Sequence, residues 1–118
     1  MNGWRLVSAR FPYVSLRLTL GGLSEQLDAL LDTGFDGDVV VPAGYPIQGL
    51  PQAKHIPAHL ADGTEILIPA YSGVARIGEI EIAPVSVLTV GDVALVGTNL
   101  IKHFTVILDH GQRVIVEP

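Results

Sequence analysis

The chain has 118 residues, of which 48% are hydrophobic and 16% charged, and none is cysteine. At ~100–200 residues per domain this is one domain, residues 1–118, with enough apolar side chains for its own core and too short for a two-lobed enzyme. The missing thiols exclude disulfides, iron–sulfur clusters, cysteine-rich zinc sites and cysteine nucleophiles. A net charge of −5 has the wrong sign for gripping nucleic acid. The imbalance is local. No base lies between Arg17 and Lys54, while Glu25, Asp28, Asp32, Asp36 and Asp38 all do, most of them reading as solvated loop charge. Residues Met1 to Arg5 lack the basic head and apolar run of a secretion signal. The most apolar stretch, from Ile80 to Ile101, is broken by Glu81, Pro84, Gly91, Asp92 and Gly97, whereas a membrane span needs ~20 mainly apolar residues. The expectation is a cytoplasmic protein that engages neither nucleic acid nor membrane.

In sequence order the pattern is of strands almost throughout. Val14, Leu16, Leu18 and Leu20 alternate with Ser15, Arg17 and Thr19, which predicts a strand with one buried face. Gly21-Gly22 supplies a tight turn, and a return strand over 26–31 leads into Asp32-Thr33-Gly34. Val39-Val40-Val41 is a β-branched strand stopped by Pro42, and residues 42–53, rich in proline and glycine, read as loop. Ile56, Ala58 and Leu60 alternate up to Asp62-Gly63, and Ile66 and Ile68 alternate away from it. That predicts a hairpin closed by a type I′ turn, with positive φ at both central residues. Strands follow over 74–77 and 80–90 around a Gly78-Glu79 turn, then a short buried strand over 92–96 ending at Gly97. Residues 98–103 form the one expected helix, about one and a half turns long. Strands over 104–108 and 113–116, joined at His110-Gly111, complete an all-β protein.

Two segments echo each other. Asp28-Ala29-Leu30-Leu31-Asp32-Thr33-Gly34 and Asp92-Val93-Ala94-Leu95-Val96-Gly97 each run from an acid through a buried apolar strand to a glycine turn. The first ends in a carboxylate, Asp32, which is costly to bury unless hydrogen-bonded or paired. As a tripeptide, Asp-Thr-Gly is also an ordinary turn. Its context is more specific: an apolar strand before, a β-branched strand after, a hairpin later, then an apolar strand, a glycine and a short helix.

Leu30-Leu31-Asp32-Thr33-Gly34-Phe35-Asp36, together with Ala94-Leu95-Val96-Gly97-Thr98-Asn99-Leu100, resembles the retropepsin-type aspartic proteases, closest to small prokaryotic single-domain members whose motif reads Asp-Thr-Gly-Phe. The resemblance runs in order and spacing over residues 13 to 117. It implies a closed β-barrel of the acid protease fold with one short helix near 98–103. It also implies a homodimeric endopeptidase acting on a peptide or protein substrate, with no cofactor and no metal. Asp32 would be catalytic, facing its twin across a two-fold axis. Two carboxylates ~3 Å apart cannot both ionise, so the pair shares one proton. Thr33 and Gly34 would support the carboxylate. Phe35, Asp36 and Gly37 would lie along the substrate, and Asp62 and Gly63 would form the tip of a flap closing over it. Leu95-Val96-Gly97 would pack beneath Asp32, and the last strand, with the N-terminal residues, would build a sheet between subunits.

The sequence departs from the retroviral pattern at three places. Phe35 stands where those enzymes carry Ala, adding bulk near the groove. Thr98 stands where they carry an Arg that pairs with the acid at the position of Asp36, which leaves Arg5, Arg10 and Arg113 as candidate partners. Asp62 places an acid in a flap turn that is glycine-rich and apolar in viral enzymes. A second reading of the same residues is a dimerisation or peptide-binding module that keeps the fold without useful cleavage. A third places a metal on His55, His59 and Asp62, although Pro57 argues against a helix there.

Overall fold

In the computed structural model, which describes residues 3–47, 50–51 and 54–118, the strands form in the order β1 (Leu6–Ser8), β2 (Tyr13–Leu20), β3 (Leu23–Leu31), β4 (Val39–Val41), β5 (Lys54–His59), β6 (Glu65–Ile77), β7 (Ile80–Thr89), β8 (Leu95–Val96), β9 (Thr105–Asp109) and β10 (Arg113–Glu117). A single helical turn, α1 (Thr98–Ile101), lies between β8 and β9. The alternation along β2 is realised directly. Val14, Leu16, Leu18 and Leu20 are buried, while Arg17 between them is exposed. The β2–β3 hairpin pairs Tyr13 with Leu30 and Leu20 with Leu23, so the return strand begins three residues earlier than the sequence predicts.

Seven strands form one sheet in the order β2-β3-β8-β4-β7-β6-β5, and β2 also pairs with β6 through Leu18 and Ala75. That extra pairing closes β2, β3, β8, β4, β7 and β6 into a six-stranded barrel, leaving β5 outside as the edge strand of a hairpin. All three residues of β4 are buried, as a β-branched strand covered on both faces should be. The core is one cluster drawing on residues from Val14 to Val116. Ile47 is buried and Tyr45 and Leu50 pack against that core, so the described part of the 42–53 loop plugs the barrel; residues 48, 49, 52 and 53 lie outside the described residues. Among the described residues, no helix is long and apolar enough to cross a membrane.

Several expectations change. The segments around Ile66–Ile68 and Val74–Ile77 are one strand of 13 residues, β6, bent by a bulge between Gly73 and Ala75 where it crosses from the hairpin into the barrel. The strand expected over 92–96 shrinks to Leu95–Val96, and the helix stops at Ile101 with a turn over 102–103. The hairpin turn is not type I′. Gly63 N–H donates to Leu60 C=O, Leu60 N–H donates to Thr64 C=O, and only Gly63 (φ 87°) has positive φ. This is a three-residue loop with the left-handed position at its end, which needs one glycine and lets Asp62 keep an ordinary conformation.

β1 is not predicted by alternation; pairing with β10 creates it. The three-stranded sheet has the order β1-β10-β9, so β10 sits in the centre with both edges filled from within the same protomer. A sheet built between subunits on β10, as the resemblance implies, therefore has no free β10 edge to use in this arrangement.

Tyr45 supplies a test of the plug. Its hydroxyl is buried with no hydrogen-bond partner among the described residues, and burial first, then the nearby Glu25 charge, pushes the phenol up to about 12. The unfolded protein would lose this proton from pH 10.0 upward, so Tyr45 contributes stability below that pH which is lost as pH rises toward 12. Tyr45→Phe is expected to leave the melting temperature at neutral pH unchanged or slightly raised and to flatten the decline over that alkaline window. Melts recorded across the window check it.

Candidate active site

The two echoing segments are neighbours. β3 and β8 run parallel, with Leu30 beside Leu95 and Leu31 beside Val96, and β8 is antiparallel to β4 on its other side. The connection from β3 to β4 thus arches over the end of β8. Asp32 sits at its start, where its N–H donates to Val96 C=O at 3.0 Å and its own C=O accepts Phe35 N–H at 3.2 Å. Gly34 N–H donates to Asp32 Oδ1 at 2.9 Å, fixing one carboxylate oxygen by a backbone donor. Asp32 is half-buried, and Thr33 and Gly34 are exposed at the tip.

Phe35 turns back into the arch. A Cβ on Gly37 would run into the Phe35 ring tip, and a Cβ on Gly97 would stand 2.6 Å from Phe35 Cδ2 and 2.7 Å from Phe35 O, and closer still to Gly37 O. The ring occupies the space that glycine at both positions leaves open, so Phe35, Gly37 and Gly97 form one packing unit. The bulk expected near the groove is spent at least partly inside the loop, where Phe35 is half-buried. The helix completes the frame: Thr98 N–H donates to Phe35 C=O at 2.8 Å, Asn99 N–H to Gly37 C=O at 3.1 Å, and Gly97 N–H to Asp38 C=O at 2.9 Å.

Asp36 is exposed, and each arginine expected to neutralise it is engaged elsewhere. Arg5 pairs with Glu117 at 2.7 Å, Arg10 with Asp28 at 3.5 Å while lying over the Tyr13 ring, and Arg113 with Asp109. Sheet register is the reason for two of them, since Arg113 lies directly opposite Asp109 and Arg5 immediately precedes the strand paired with β10. The acid that is held instead is Asp38, read in the sequence as one of several solvated loop charges. Its half-buried carboxylate accepts from Asn99 Nδ2 at 2.7 Å and from Ser86 N–H at 2.8 Å. An acid immediately before three consecutive valines was the available signal, because a charge entering a fully buried strand needs partners.

Asp62 and Gly63 sit exposed at the tip of the β5–β6 hairpin, and no hydrogen bond joins them to the Asp32 loop among the described residues. Asp62 Oδ1 accepts Thr64 N–H at 2.8 Å; contacts with Thr64, its hydroxyl first and its N–H second, hold the Asp62 carboxyl below its usual range. His55 and His59 share the outward face of β5, with His59 Nε2 3.5 Å from Glu65 Oε2 on β6. They do not assemble with Asp62: among the described residues no three metal-ligating side chains come together. The structure thus brings together Asp32, Gly34, Phe35, Gly37, Asp38, Gly97, Thr98 and Asn99, and leaves the hairpin tip apart.

The protein is similar to a solved retropepsin-like aspartic protease from Rickettsia conorii, with a TM-score of 0.63 and 15% sequence identity over 98% of this chain and 92% of that one. The likeness establishes the fold as retropepsin-like. No protein-family model matches the sequence, and no curated protein matches it.

Proposed function

We propose that the protein is an aspartic endopeptidase that works as a homodimer, hydrolysing peptide bonds with a water activated between Asp32 and the same residue of a second copy. The observation that carries this reading is the half-buried Asp32 carboxylate, held by the Gly34 amide beside the exposed tip of an arch that β8 and α1 support from below. One such arch per protomer supplies one carboxylate, and the reaction uses two. One carboxylate takes a proton from water as its oxygen attacks the peptide carbonyl carbon, and the protonated partner gives its proton to the carbonyl oxygen. Collapse of the tetrahedral intermediate breaks the C–N bond, the amine leaves with a proton, and the pair is left with one shared proton. In this reading Asp36, Gly37, Asp62 and Gly63 lie on the substrate side, the last two at the exposed tip of the β5–β6 hairpin.

The terminal sheet supports the stoichiometry. Val7, Ile115 and Ile107 lie in one row across β1, β10 and β9, on the face opposite Leu6, Val116 and Val106, which pack on the core. Val7 and Ile107 are 49% and 38% exposed at the two ends of the row, while Ile115 between them is buried, so the row offers two exposed apolar side chains flanking a covered one. Pro12 C=O, immediately before β2, accepts Leu31 N–H at 3.0 Å, which extends the β2–β3 ladder to the foot of the arch. Ile107→Glu is expected to leave the fold intact and halve the solution mass, as sedimentation would show.

The test of the reading is incubation of the protein with a peptide library between about pH 4 and 7, where a carboxylate pair can hold one proton. New termini in the products, from a species of twice the 12.5 kDa protomer mass, are the expected result. Peptides bound by the dimer but left whole would assign it instead as a peptide-binding module.

A further inference from the structure

Asp38 is the acid in this region that the proposed reaction does not use, and it is the most heavily engaged. Its Oδ1 accepts from Asn99 Nδ2 at 2.7 Å, its Oδ2 from Ser86 N–H at 2.8 Å, and its backbone carbonyl from Gly97 N–H at 2.9 Å. One residue thereby fastens the far end of the Asp32 arch to α1, to β7 and to the end of β8. A carboxylate only accepts, so both oxygens are matched to donors, and the Asn99 amide must turn its NH2 toward Asp38. Bonds to an ionised acceptor are stronger than those between neutral groups. The near end of the arch is tied to the same segment, through Asp32 N–H on Val96 C=O. The height of the Asp32 carboxylate is therefore set by two anchors, and only the far one carries a charge. The ionisable groups around Asp38 are Lys54 of β5 and Tyr71 of β6, which line with it a cavity of about 370 Å³, and Asp36 two residues before it. α1 and β8 contribute none, and the one ionisable residue of β7, Glu81, lies opposite Arg76 at the other end of that strand.

We propose that Asp38, through Asn99 and Ser86, is a positioning residue for peptide hydrolysis: a charged clamp that fixes the arch on α1 and β7 so that Asp32 meets its twin at bonding distance. The proposal rests on the endopeptidase reading above.

A partner swap tests it in the full-length protein. Asn99→Asp sets two carboxylates against each other. At pH 7 kcat is expected to fall roughly a hundredfold with KM within about threefold, the scale of a misplaced catalytic group. The deficit should shrink toward acid pH, where the facing pair takes up a proton. Adding Asp38→Asn restores a donor–acceptor match with the roles exchanged, since its oxygen still accepts from Ser86 N–H while its amide donates to the new carboxylate. The double variant is expected to recover to within about tenfold of the wild-type kcat and to regain the wild-type pH profile. Asn99→Asp with wild-type kcat and pH profile, or a double variant no better than the single one, would overturn the clamp. Amide exchange at Ser86 and Gly97, read by NMR on the same proteins, should lose protection in Asn99→Asp and regain it in the double variant. Protection that stays unchanged would overturn the clamp independently of activity. If wild type cleaves no peptide, the endopeptidase reading falls and the exchange data alone decide whether the clamp exists.

Discussion

Asp32→Asn is expected to lower peptide hydrolysis by roughly a thousandfold or more, while fold and dimer survive. At about 1.4 kcal/mol per tenfold, that is a loss of about 4 kcal/mol of transition-state stabilisation. The amide keeps an oxygen able to accept Gly34 N–H, so the bond that fixes the side chain within a protomer, among the described residues, is retained. What it loses is the ability to take a proton from water, which no other group at the tip replaces: Thr33 is a hydroxyl, and Asp36 lies beyond the turn. In the proposed dimer the change replaces both carboxylates, turning a pair that must hold a shared proton into two neutral amides, so the variant should melt at the same temperature as wild type or slightly above it. Initial rates, melting curves and solution mass on the same preparation separate the chemistry from the fold. Equal rates for the two proteins would end the aspartic mechanism.

Gly97→Ala is expected to be the most damaging single methyl group in the arch. The added Cβ would stand 2.6 Å from Phe35 Cδ2, 2.7 Å from Phe35 O, and against Gly37 O. Two of those three atoms are backbone carbonyl oxygens that receive Thr98 N–H and Asn99 N–H, so the backbone cannot withdraw without breaking the bonds that seat the helix. Overpacking of this kind costs about 3 kcal/mol, which for a domain of this size lowers the melting temperature by roughly 10–15 °C. Adding Phe35→Ala to the variant removes one of the clashes and leaves the carbonyl clashes, so it should not rescue the protein. Gly44→Ala, where a Cβ would meet nothing within 4 Å, is the control and should melt within a few degrees of wild type. Thermal denaturation of the four proteins checks all of this.

Much of the architecture was legible because it rests on short-range regularities. The alternation of Val14, Leu16, Leu18 and Leu20 is a local statement about one buried face, and the turns at Gly21, Gly63, Gly78 and Gly111 fall where the glycines stand, each with positive φ. The echo between the segments ending at Gly34 and Gly97 was legible, and the parallel pairing of β3 with β8 gives it a physical meaning; Asp32 stands out as a candidate through its motif. What was illegible depends on distant partners. β1 is three residues with no periodic signal, and it exists because β10 offers an edge. The two short strands expected around Ile66–Ile68 and over 74–77 are one, because Pro69 fits the hairpin arm opposite His55 and a bulge follows Gly73, neither of which shows in local alternation. Asp38 looked like surface charge because its partners, Ser86 and Asn99, are 48 and 61 residues away. For the same reason the arginine partner sought for Asp36 could not be chosen from sequence; sheet register had already committed Arg113 to Asp109.

In the proposed dimer two copies each lend one Asp32 carboxylate to a single reaction. Mixing wild type with increasing amounts of Asp32→Asn at constant total concentration, after time for subunits to exchange, separates a shared pair from independent copies. If both carboxylates are needed, activity follows the square of the wild-type fraction, so a one-to-one mixture retains about a quarter of the wild-type rate. A rate that falls in simple proportion, with about half remaining in that mixture, would mean that each copy acts alone and would contradict the shared pair.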